Sequence, residues 1–236
     1  MKTPWIAKAA VAAIALIGLM IGGLGAYVYV ANRHQPPSGS GSDSALVFRE
    51  HVDHPVTPAM ERAAQELGGA KAPSFDATDL QGKNCSLASL TSDKPLVLFF
   101  VELHCPCCKG AKPYIDRIQR YYGDSCNVVG VINAKPDMAR VWSKTVQPQF
   151  DVIPDPDMKI IHAYQAQRGV YTTLVAPGGR IVKAYPGYSQ SMLREITTSI
   201  ARLAGVKVRP MPLEPAPKRM TSGCLFPGTK LPGDEL

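Results

Sequence analysis

The chain has 236 residues, of which 45% are hydrophobic and 19% are charged. This composition suffices for one well-buried domain with extensions or for two small domains, and it excludes a globally disordered chain. The net charge of +7 is mild, and the sequence shows no dense block of Lys and Arg interleaved with aromatic residues. We therefore expect a solvated basic surface and no nucleic-acid binding, although such a surface is compatible with an anionic membrane nearby.

The N-terminal segment predicts a membrane anchor. Residues 9–31 carry no charged side chain, and a bilayer-spanning helix needs roughly 20 apolar residues. A cleaved signal peptide, the alternative, has a shorter core of about 7–15 residues and a small-residue cleavage site, which does not stand out here. We therefore predict an uncleaved single-pass anchor over residues 1–31. Lys2 and Lys8 precede the span and only Arg33 directly follows it, so the positive-inside rule exports the rest of the chain to the periplasmic side of the cell membrane.

Composition divides the remaining chain into three further segments. Residues 32–71 begin with a stretch dominated by Pro, Gly and Ser, which is typical of a flexible linker, and continue into a short predicted helix. Residues 72–205 alternate short apolar strands and helices and form the predicted domain. Residues 206–236 contain six prolines and little periodicity, which predicts an extended or disordered tail that carries Cys224.

The apolar pattern of the predicted domain indicates an α/β fold, with a mixed central sheet flanked by helices. Residues 95–101 and 127–133 are continuous apolar runs, typical of central strands covered on both faces. Residues 171–176 and 180–185 flank a Pro-Gly-Gly turn and predict a hairpin. The other predicted elements are two short strands around a turn at 81–83 and helices over 58–67, 105–122, 137–144, 158–166 and from Ser189 to about 203.

Two cysteines, Cys105 and Cys108, form a C-x-x-C where the strand over 95–101 gives way to a helix. At a helix N-terminus, unsatisfied backbone N–H groups and the positive end of the helix dipole favour a thiolate, which is the nucleophilic form. Residues three apart lie on one helix face, so Cys108 can reach back to Cys105 and close a disulfide. We expect Cys105 to be the exposed attacking thiol and Cys108 the more buried resolving thiol. An inert disulfide and a structural zinc site are alternatives, but zinc requires a second ligand pair that the domain lacks.

A third cysteine of this cluster, Cys107, opens a metal-binding alternative. It points roughly 100° around the helix from Cys108, so it is either a spare thiol or one more soft ligand. Thiolates select Cu(I), and His104 adjoins them. A copper-binding carrier that uses Cys105, Cys107, Cys108 and His104 is therefore an alternative to a cofactor-free site.

The other cysteines and the linker histidines have separate interpretations. Cys85 and Cys126 fall on or beside predicted strands and are expected to be small buried hydrophobes, although export would permit a disulfide. Cys224 lies about 20 residues beyond the last helix, close enough for a flexible tail to bring it to the C-x-x-C as a resolving or relay thiol, with an idle tail cysteine as the alternative. His51 and His54 fall in the linker, and two histidines alone do not make a metal site.

The stretch from residue 72 to about 204 resembles the thioredoxin-like redoxins. It is most similar to the membrane-anchored TlpA/ResA-type thiol–disulfide oxidoreductases, which are related to the AhpC/TSA group. The motifs that carry the resemblance are APSFDATDLQGKNCSLASL, PLVLFFVELHCPCCKGAKP and RGVYTTLVAPGGRIVKAYPG, with Pro113 five residues after Cys108. The resemblance implies a thioredoxin fold and dithiol–disulfide exchange with protein thiols and a redox partner protein. It also implies that Cys105 is the nucleophile and Cys108 the resolving thiol.

The sequence departs from the family pattern at three positions. Tyr171 stands where the family has a cis-proline in the loop that faces the C-x-x-C, which leaves room for metal binding there. His104 replaces the tryptophan that usually precedes the first cysteine, and a nearby imidazolium would stabilise the Cys105 thiolate. The buried acid of the family would fall near Phe99, so Glu102 is the candidate substitute, an ordinary carboxylate at the strand edge being its alternative.

The peroxiredoxin branch fits less well than thiol exchange. It requires Thr or Ser three residues before the peroxidatic cysteine and Pro seven before it, and for Cys105 these positions are Glu102 and Leu98. The supporting arginine would align near Tyr171, although Arg168 is close. We therefore predict a thiol–disulfide oxidoreductase. The alternatives are a thiol peroxidase, the copper-binding carrier and a non-catalytic redoxin module that only binds partners.

Overall fold

The apolar run around Phe99 forms the middle strand of a five-stranded sheet in the computed structural model, which describes residues 54–229. The helices are α1 (Pro58–Glu66), α2 (Leu87–Leu90), α3 (Pro106–Tyr122), α4 (Pro136–Val146), α5 (Lys159–Ala163) and α6 (Gln190–Ala204). The strands are β1 (Asp76–Thr78), β2 (Asn84–Ser86), β3 (Leu96–Val101), β4 (Asn127–Ile132), β5 (Asp151–Pro154), β6 (Thr172–Ala176) and β7 (Arg180–Tyr185).

The sheet has the order β5-β4-β3-β6-β7 and is mixed, as predicted. The pairs β3–β4 and β4–β5 are parallel, whereas β3–β6 and β6–β7 are antiparallel. The remaining strands, β1 and β2, form a separate antiparallel hairpin. The carboxyl end of β3 therefore lies in the middle of the sheet, flanked by β4 and by the start of β6, and it leads directly to the cysteine motif.

Alternation along β3 builds two hydrophobic layers, because successive strand residues point to opposite faces. All six residues of β3 are buried. One face, which includes Phe99, packs against buried residues of α3, α4 and α6. The other face, which includes Phe100, packs against buried residues of α1, α2 and α5. Helices thus cover both faces, which confirms the predicted α/β class.

The edge strand β5 was not predicted. The structure pairs Asp151 through Pro154 with β4, ahead of the helix that the sequence predicts over 158–166. A proline is tolerated in an edge strand, where its missing N–H is not required by a second neighbour. The following turn contains Asp155, whose carboxylate accepts hydrogen bonds from the N–H groups of Lys159 and Ile160. This helix, α5, is shorter than the predicted span of 158–166.

The segment after α6 packs back over the domain. Arg117 Nη1 donates a hydrogen bond to the Pro212 carbonyl oxygen at 2.9 Å, and the backbone N–H of Arg209 donates to the Tyr122 hydroxyl at 2.8 Å. Phe226 is only 1% exposed and belongs to the hydrophobic core. Prolines remove the periodicity by which helices and strands are recognised, but they leave apolar side chains free to pack. Disorder was therefore the wrong alternative for residues 206–229.

Within residues 54–229, no helix combines the length and the apolar character that a membrane crossing requires. The predicted anchor over residues 1–31, the linker that follows it and His51 all lie outside the described residues.

Shortening Phe226 to alanine tests whether the tail is part of the folded domain. Because the ring is fully buried, Phe226→Ala is expected to lower the free energy of unfolding by about 3–5 kcal/mol. Leu225→Ala is the matched control, since Leu225 is 37% exposed and its truncation is expected to cost about 0.5 kcal/mol. Urea denaturation of the full-length chain in detergent, under reducing conditions, measures both. Equal effects of the two substitutions would contradict a packed tail.

Candidate active site

The C-x-x-C lies where β3 ends and α3 begins, as the sequence predicts. Cys105 is the N-cap residue of α3, in an extended conformation, and its backbone N–H donates to the Glu102 carbonyl oxygen at 3.1 Å. Pro106 occupies the first helical turn, where its fixed φ suits the helix and its missing N–H costs no hydrogen bond. The first turn of α3 then carries Cys107 and Cys108 beneath the loop that precedes β6.

The nucleophile predicted to be exposed is in fact buried. Cys105 and Cys108 are both 0% exposed, and Cys107 is 6% exposed. The cover is the tail, whose Cys224 backbone N–H donates a hydrogen bond to Cys105 Sγ at 3.2 Å. All six cysteines of the chain lie among the described residues, and none of them forms a disulfide. The two cysteines outside this cluster, Cys85 and Cys126, are buried thiols, as expected.

We call residues 220–226 the covering segment. It runs antiparallel beside residues 167–169: the Gly223 N–H donates to the Gly169 carbonyl at 3.0 Å, and the Gly169 N–H donates to the Cys224 carbonyl at 2.8 Å. Arg168 Nη1 adds a hydrogen bond to the Gly223 carbonyl at 3.1 Å. The covering segment is thereby held across the cysteine motif by backbone hydrogen bonds and by the side chain of one arginine.

Glycine is required on both sides of this pairing. A Cβ on Gly169 would lie 2.6 Å from Cys108 Sγ, and a Cβ on Gly223 would lie 2.5 Å from the Gly169 carbonyl oxygen. Real Cβ atoms do not approach other atoms so closely. A side chain at position 223 would push the covering segment away from Gly169, and one at position 169 would collide with the Cys108 sulfur. Glycine permits this close approach of two backbones.

Among the four clustered sulfurs, only that of Cys105 has a pKa below the ordinary value for a thiol. The thiols of Cys107 and Cys108 donate hydrogen bonds to Cys105 Sγ and hold its pKa well below the ordinary value; the N–H groups of Cys224 and Cys108 add to this, and burial opposes it. The pKa of Cys108 is raised, first by burial and then by its bond to Cys105. The hydrogen bond that Cys107 donates to Cys105 raises the pKa of Cys107. Burial raises the pKa of Cys224 to about 11.

Glu102 belongs to this cluster, whereas His104 does not. Glu102 is buried, and burial raises the pKa of its carboxyl group. Its carboxylate accepts a hydrogen bond from the His104 backbone N–H at 3.0 Å, and one of its oxygens lies within 4.8 Å of the sulfurs of Cys105 and Cys224. The His104 side chain is exposed and joins none of the described groups of possible metal ligands. Hydrogen bonds, rather than an imidazolium, dominate the stabilisation of the Cys105 thiolate.

The side chain of Tyr171 is not brought to the thiols. It is buried in the other hydrophobic layer, where its ring packs edge-on against Phe100 with centroids 6.1 Å apart. The preceding residue, Val170, lies in the layer of the cysteines and has a φ of 66°. A β-branched residue rarely adopts this left-handed conformation, and such a residue is held there only by its surroundings. Directly before β6, Val170 and Tyr171 thus place their side chains in opposite hydrophobic layers.

A residue that sequence analysis set aside completes the cluster. A ring nitrogen of His54 and the sulfurs of Cys107 and Cys224 all lie within 4.8 Å of one another. The backbone of His54 is tied to the covering segment, because its carbonyl accepts the Ser222 N–H at 2.7 Å. No local motif marks His54, since it meets the cysteines through pairing between residues that are far apart in the chain.

Comparison with known proteins places the chain. The AhpC/TSA family model matches residues 68–184. The thiol-disulfide oxidoreductase ResA of Bacillus subtilis (strain 168) is 27% identical over 130 residues, which are 54% of this chain and 72% of ResA. Over this part of its length the chain is similar to the thioredoxin-like redoxins. A candidate peroxiredoxin of Mycobacterium tuberculosis (strain H37Rv) is also similar to this redoxin, with 29% identity over 108 residues, 45% of this chain and 69% of that protein.

Solved structures agree with the fold of this redoxin. The crystal structure of a candidate thiol:disulfide interchange protein DsbE from Chlorobium tepidum superposes with a TM-score of 0.54 at 22% identity, covering 58% of this chain and 98% of that one. The solution structure of a candidate protein disulfide isomerase from Bacteroides thetaiotaomicron gives the same TM-score of 0.54 at 22% identity, covering 58% and 90%. The fold is thioredoxin-like, and an oxidoreductase function of the redoxin type follows from the family and from ResA.

The charge distribution predicts one thiolate that persists in acid. Because the pKa of Cys105 is lowered, its thiolate should remain at a pH of about 5 and be lost only as the pH falls further. Thiolate absorbance in the far ultraviolet, followed during acid titration of the reduced full-length redoxin, measures it. Cys105→Ser is expected to abolish the acid-stable absorbance, and the control Cys126→Ser to preserve it, since burial raises the pKa of Cys126 to about 12. Absorbance that develops only above a pH of about 8 would contradict the prediction.

Proposed function

We propose that this redoxin is a thiol–disulfide oxidoreductase that exchanges electrons with protein thiols through Cys105 and Cys108. The observation that carries the proposal is the contact between the two sulfurs at the start of α3, in which the Cys108 thiol donates a hydrogen bond to Cys105 Sγ. A nucleophile and a resolving thiol three residues apart are what disulfide formation requires. The similarity to ResA supports the same chemistry.

The exchange proceeds in two displacements. The Cys105 thiolate attacks a partner disulfide, so that a Cys105–partner disulfide forms and the other partner sulfur leaves as a thiolate. Cys108 then loses its proton and attacks Cys105 Sγ, which closes the Cys105–Cys108 disulfide and releases the second partner sulfur. The partner gains two electrons and the redoxin loses two. Glu102, buried beside Cys105, is the proton acceptor that we assign to the second step. The reverse sequence oxidises a partner dithiol, and a redox partner protein restores the starting state.

Access to the nucleophile requires the covering segment to lift. Cys105 has no exposed surface while the Cys224 N–H is bonded to its sulfur. The partner therefore meets Cys105 only after the pairing between the covering segment and residues 167–169 opens. Such local opening costs less than global unfolding, because few backbone hydrogen bonds are lost.

A thiol peroxidase is the second candidate, favoured by the similarity to the candidate peroxiredoxin. Two contacts weigh against it. Glu102 occupies the position at which that chemistry uses a hydroxyl, and its carboxylate cannot donate a hydrogen bond to a peroxide as a hydroxyl can. Arg168, the nearby guanidinium, is engaged with the Gly223 carbonyl oxygen. Peroxide consumption at a rate comparable to disulfide exchange would favour this candidate over ours.

A redox titration of the full-length chain in detergent tests the proposal. In graded thiol buffers, followed by alkylation and peptide mass spectrometry, Cys105 and Cys108 are expected to pair reversibly with one midpoint potential. Cys105→Ser and Cys108→Ser should each reduce the exchange rate with a model protein disulfide to background. Cys85→Ser is the matched control, because Cys85 is equally buried but lies in the other hydrophobic layer. If Cys105 and Cys108 never form a disulfide with each other, the proposal of thiol–disulfide exchange is wrong.

We further propose that the domain is anchored on the periplasmic side of the cell membrane by residues 1–31. The uncharged run over residues 9–31 and the lysines before it support this orientation. Protease added to spheroplasts is expected to digest the domain, and carbonate washing should leave the chain in the membrane. Recovery of a soluble chain that begins after residue 31 would instead show a cleaved signal.

A further inference from the structure

Two cysteines of the cluster form no disulfide in the proposed exchange reaction. Cys107 lies two residues after the nucleophile in the first turn of α3, and Cys224 lies in the covering segment. Their sulfurs and a ring nitrogen of His54 all lie within 4.8 Å of one another. A metal bonded to sulfur at about 2.3 Å and to nitrogen at about 2.0 Å holds such ligands roughly 3.5–4.5 Å apart. The three side chains are therefore close enough to share one ion after small adjustments.

The fold holds the backbone of each of these residues. The Cys224 N–H is bonded to Cys105 Sγ at 3.2 Å, and the Cys224 carbonyl accepts the Gly169 N–H at 2.8 Å. The His54 carbonyl accepts the Ser222 N–H at 2.7 Å, and Cys107 is fixed by the helix. Ligands positioned on paired and helical backbone lose little conformational freedom when they bind an ion, which favours binding.

The donor set indicates which metal would bind. Two thiolates and one imidazole are soft or borderline ligands, and thiolates select Cu(I). Structural zinc sites are almost always tetrahedral with four ligands, whereas this group among the described residues has three, none of them a carboxylate. Hard cations such as Mg²⁺ and Ca²⁺ require oxygen ligands. We propose that Cys107, Cys224 and His54 form a three-coordinate Cu(I) site.

This site differs from the copper site that the sequence suggests. The histidine ligand is His54 instead of His104, whose side chain is exposed. Cys105 and Cys108 are not ligands and remain the exchange pair. Copper binding displaces the protons of the two thiols, because only thiolates ligate. An ion between Cys107 and Cys224 also bridges α3 to the covering segment, so it holds that segment over Cys105. The site does not depend on the exchange function, since it uses neither of the two exchange cysteines.

Anaerobic titration of the reduced full-length chain in detergent with Cu(I), against a chromophoric Cu(I) chelator, tests the proposal. We expect one equivalent to be taken from the chelator. His54→Ala, Cys107→Ser and Cys224→Ser should each lose it, whereas the matched controls His162→Ala and Cys126→Ser should retain it. X-ray absorption of the loaded chain is expected to show three-coordinate Cu(I) with two sulfurs and one nitrogen.

Three outcomes would overturn the proposal. Full binding by His54→Ala together with loss in Cys105→Ser and Cys108→Ser would move the site to the exchange pair. One equivalent of Zn(II) bound through the same three residues, with no uptake of Cu(I), would show that the metal is wrong. No uptake of either ion by a chain whose circular dichroism is that of the folded state would show that there is no site. Because Cys105–Cys108 disulfide formation is measured separately, failure here leaves the exchange function standing.

Discussion

The close contact between Gly169 and Gly223 is the constraint on which the site depends. Two backbones meet there at a distance that no Cβ would permit, and the resulting antiparallel pairing lays the covering segment across the cysteine motif. This pairing buries Cys105 and brings the N–H and the sulfur of Cys224 to it. The other edge of the same segment holds His54. A single extended stretch thus assembles residues that are separated by most of the chain.

Electrostatics then distributes the roles among the sulfurs. Crowded thiols cannot all ionise, because each added charge would repel the first one in a poorly solvated space. The pKa of Cys105 is lowered, because its sulfur receives hydrogen bonds from two neighbouring thiols and from the backbone N–H groups of Cys108 and Cys224. The pKa of Cys108, fully buried at the other end of the C-x-x-C, is raised, so its protonated form is favoured. In the exchange that we propose, this difference separates the nucleophile from the resolving thiol.

Covering a reactive thiolate has consequences for its chemistry. A low-pKa thiolate open to solvent is susceptible to oxidation beyond the disulfide, and burial limits that damage. The same burial makes access conditional, because a partner must displace backbone pairing rather than dock on a free groove. The guanidinium of Arg168 contributes to this cover, since it donates a hydrogen bond to the Gly223 carbonyl oxygen. In the exchange that we propose, the covering segment is therefore part of the reaction cycle as well as part of the fold.

Features that depend on neighbouring residues could be predicted from the amino-acid sequence. The apolar run at the centre of β3, the C-x-x-C at the start of α3, and the last helix with its Ser189 cap and its end at Gly205 all follow from neighbouring residues. The motif order also carried the resemblance to the redoxins, and hence the fold.

The residues that cover and complete the site could not be predicted, because they depend on long-range contacts. Burial of Cys105, the approach of Cys224 and the participation of His54 arise from pairing between segments distant in sequence, and proline-rich chain shows no periodicity that announces such pairing. The side of the sheet faced by Tyr171 depends on strand register, which a shift of one residue reverses. Local patterns fix which residues can be reactive, because propensity and capping act over a few residues. Long-range backbone contacts fix which of them meet.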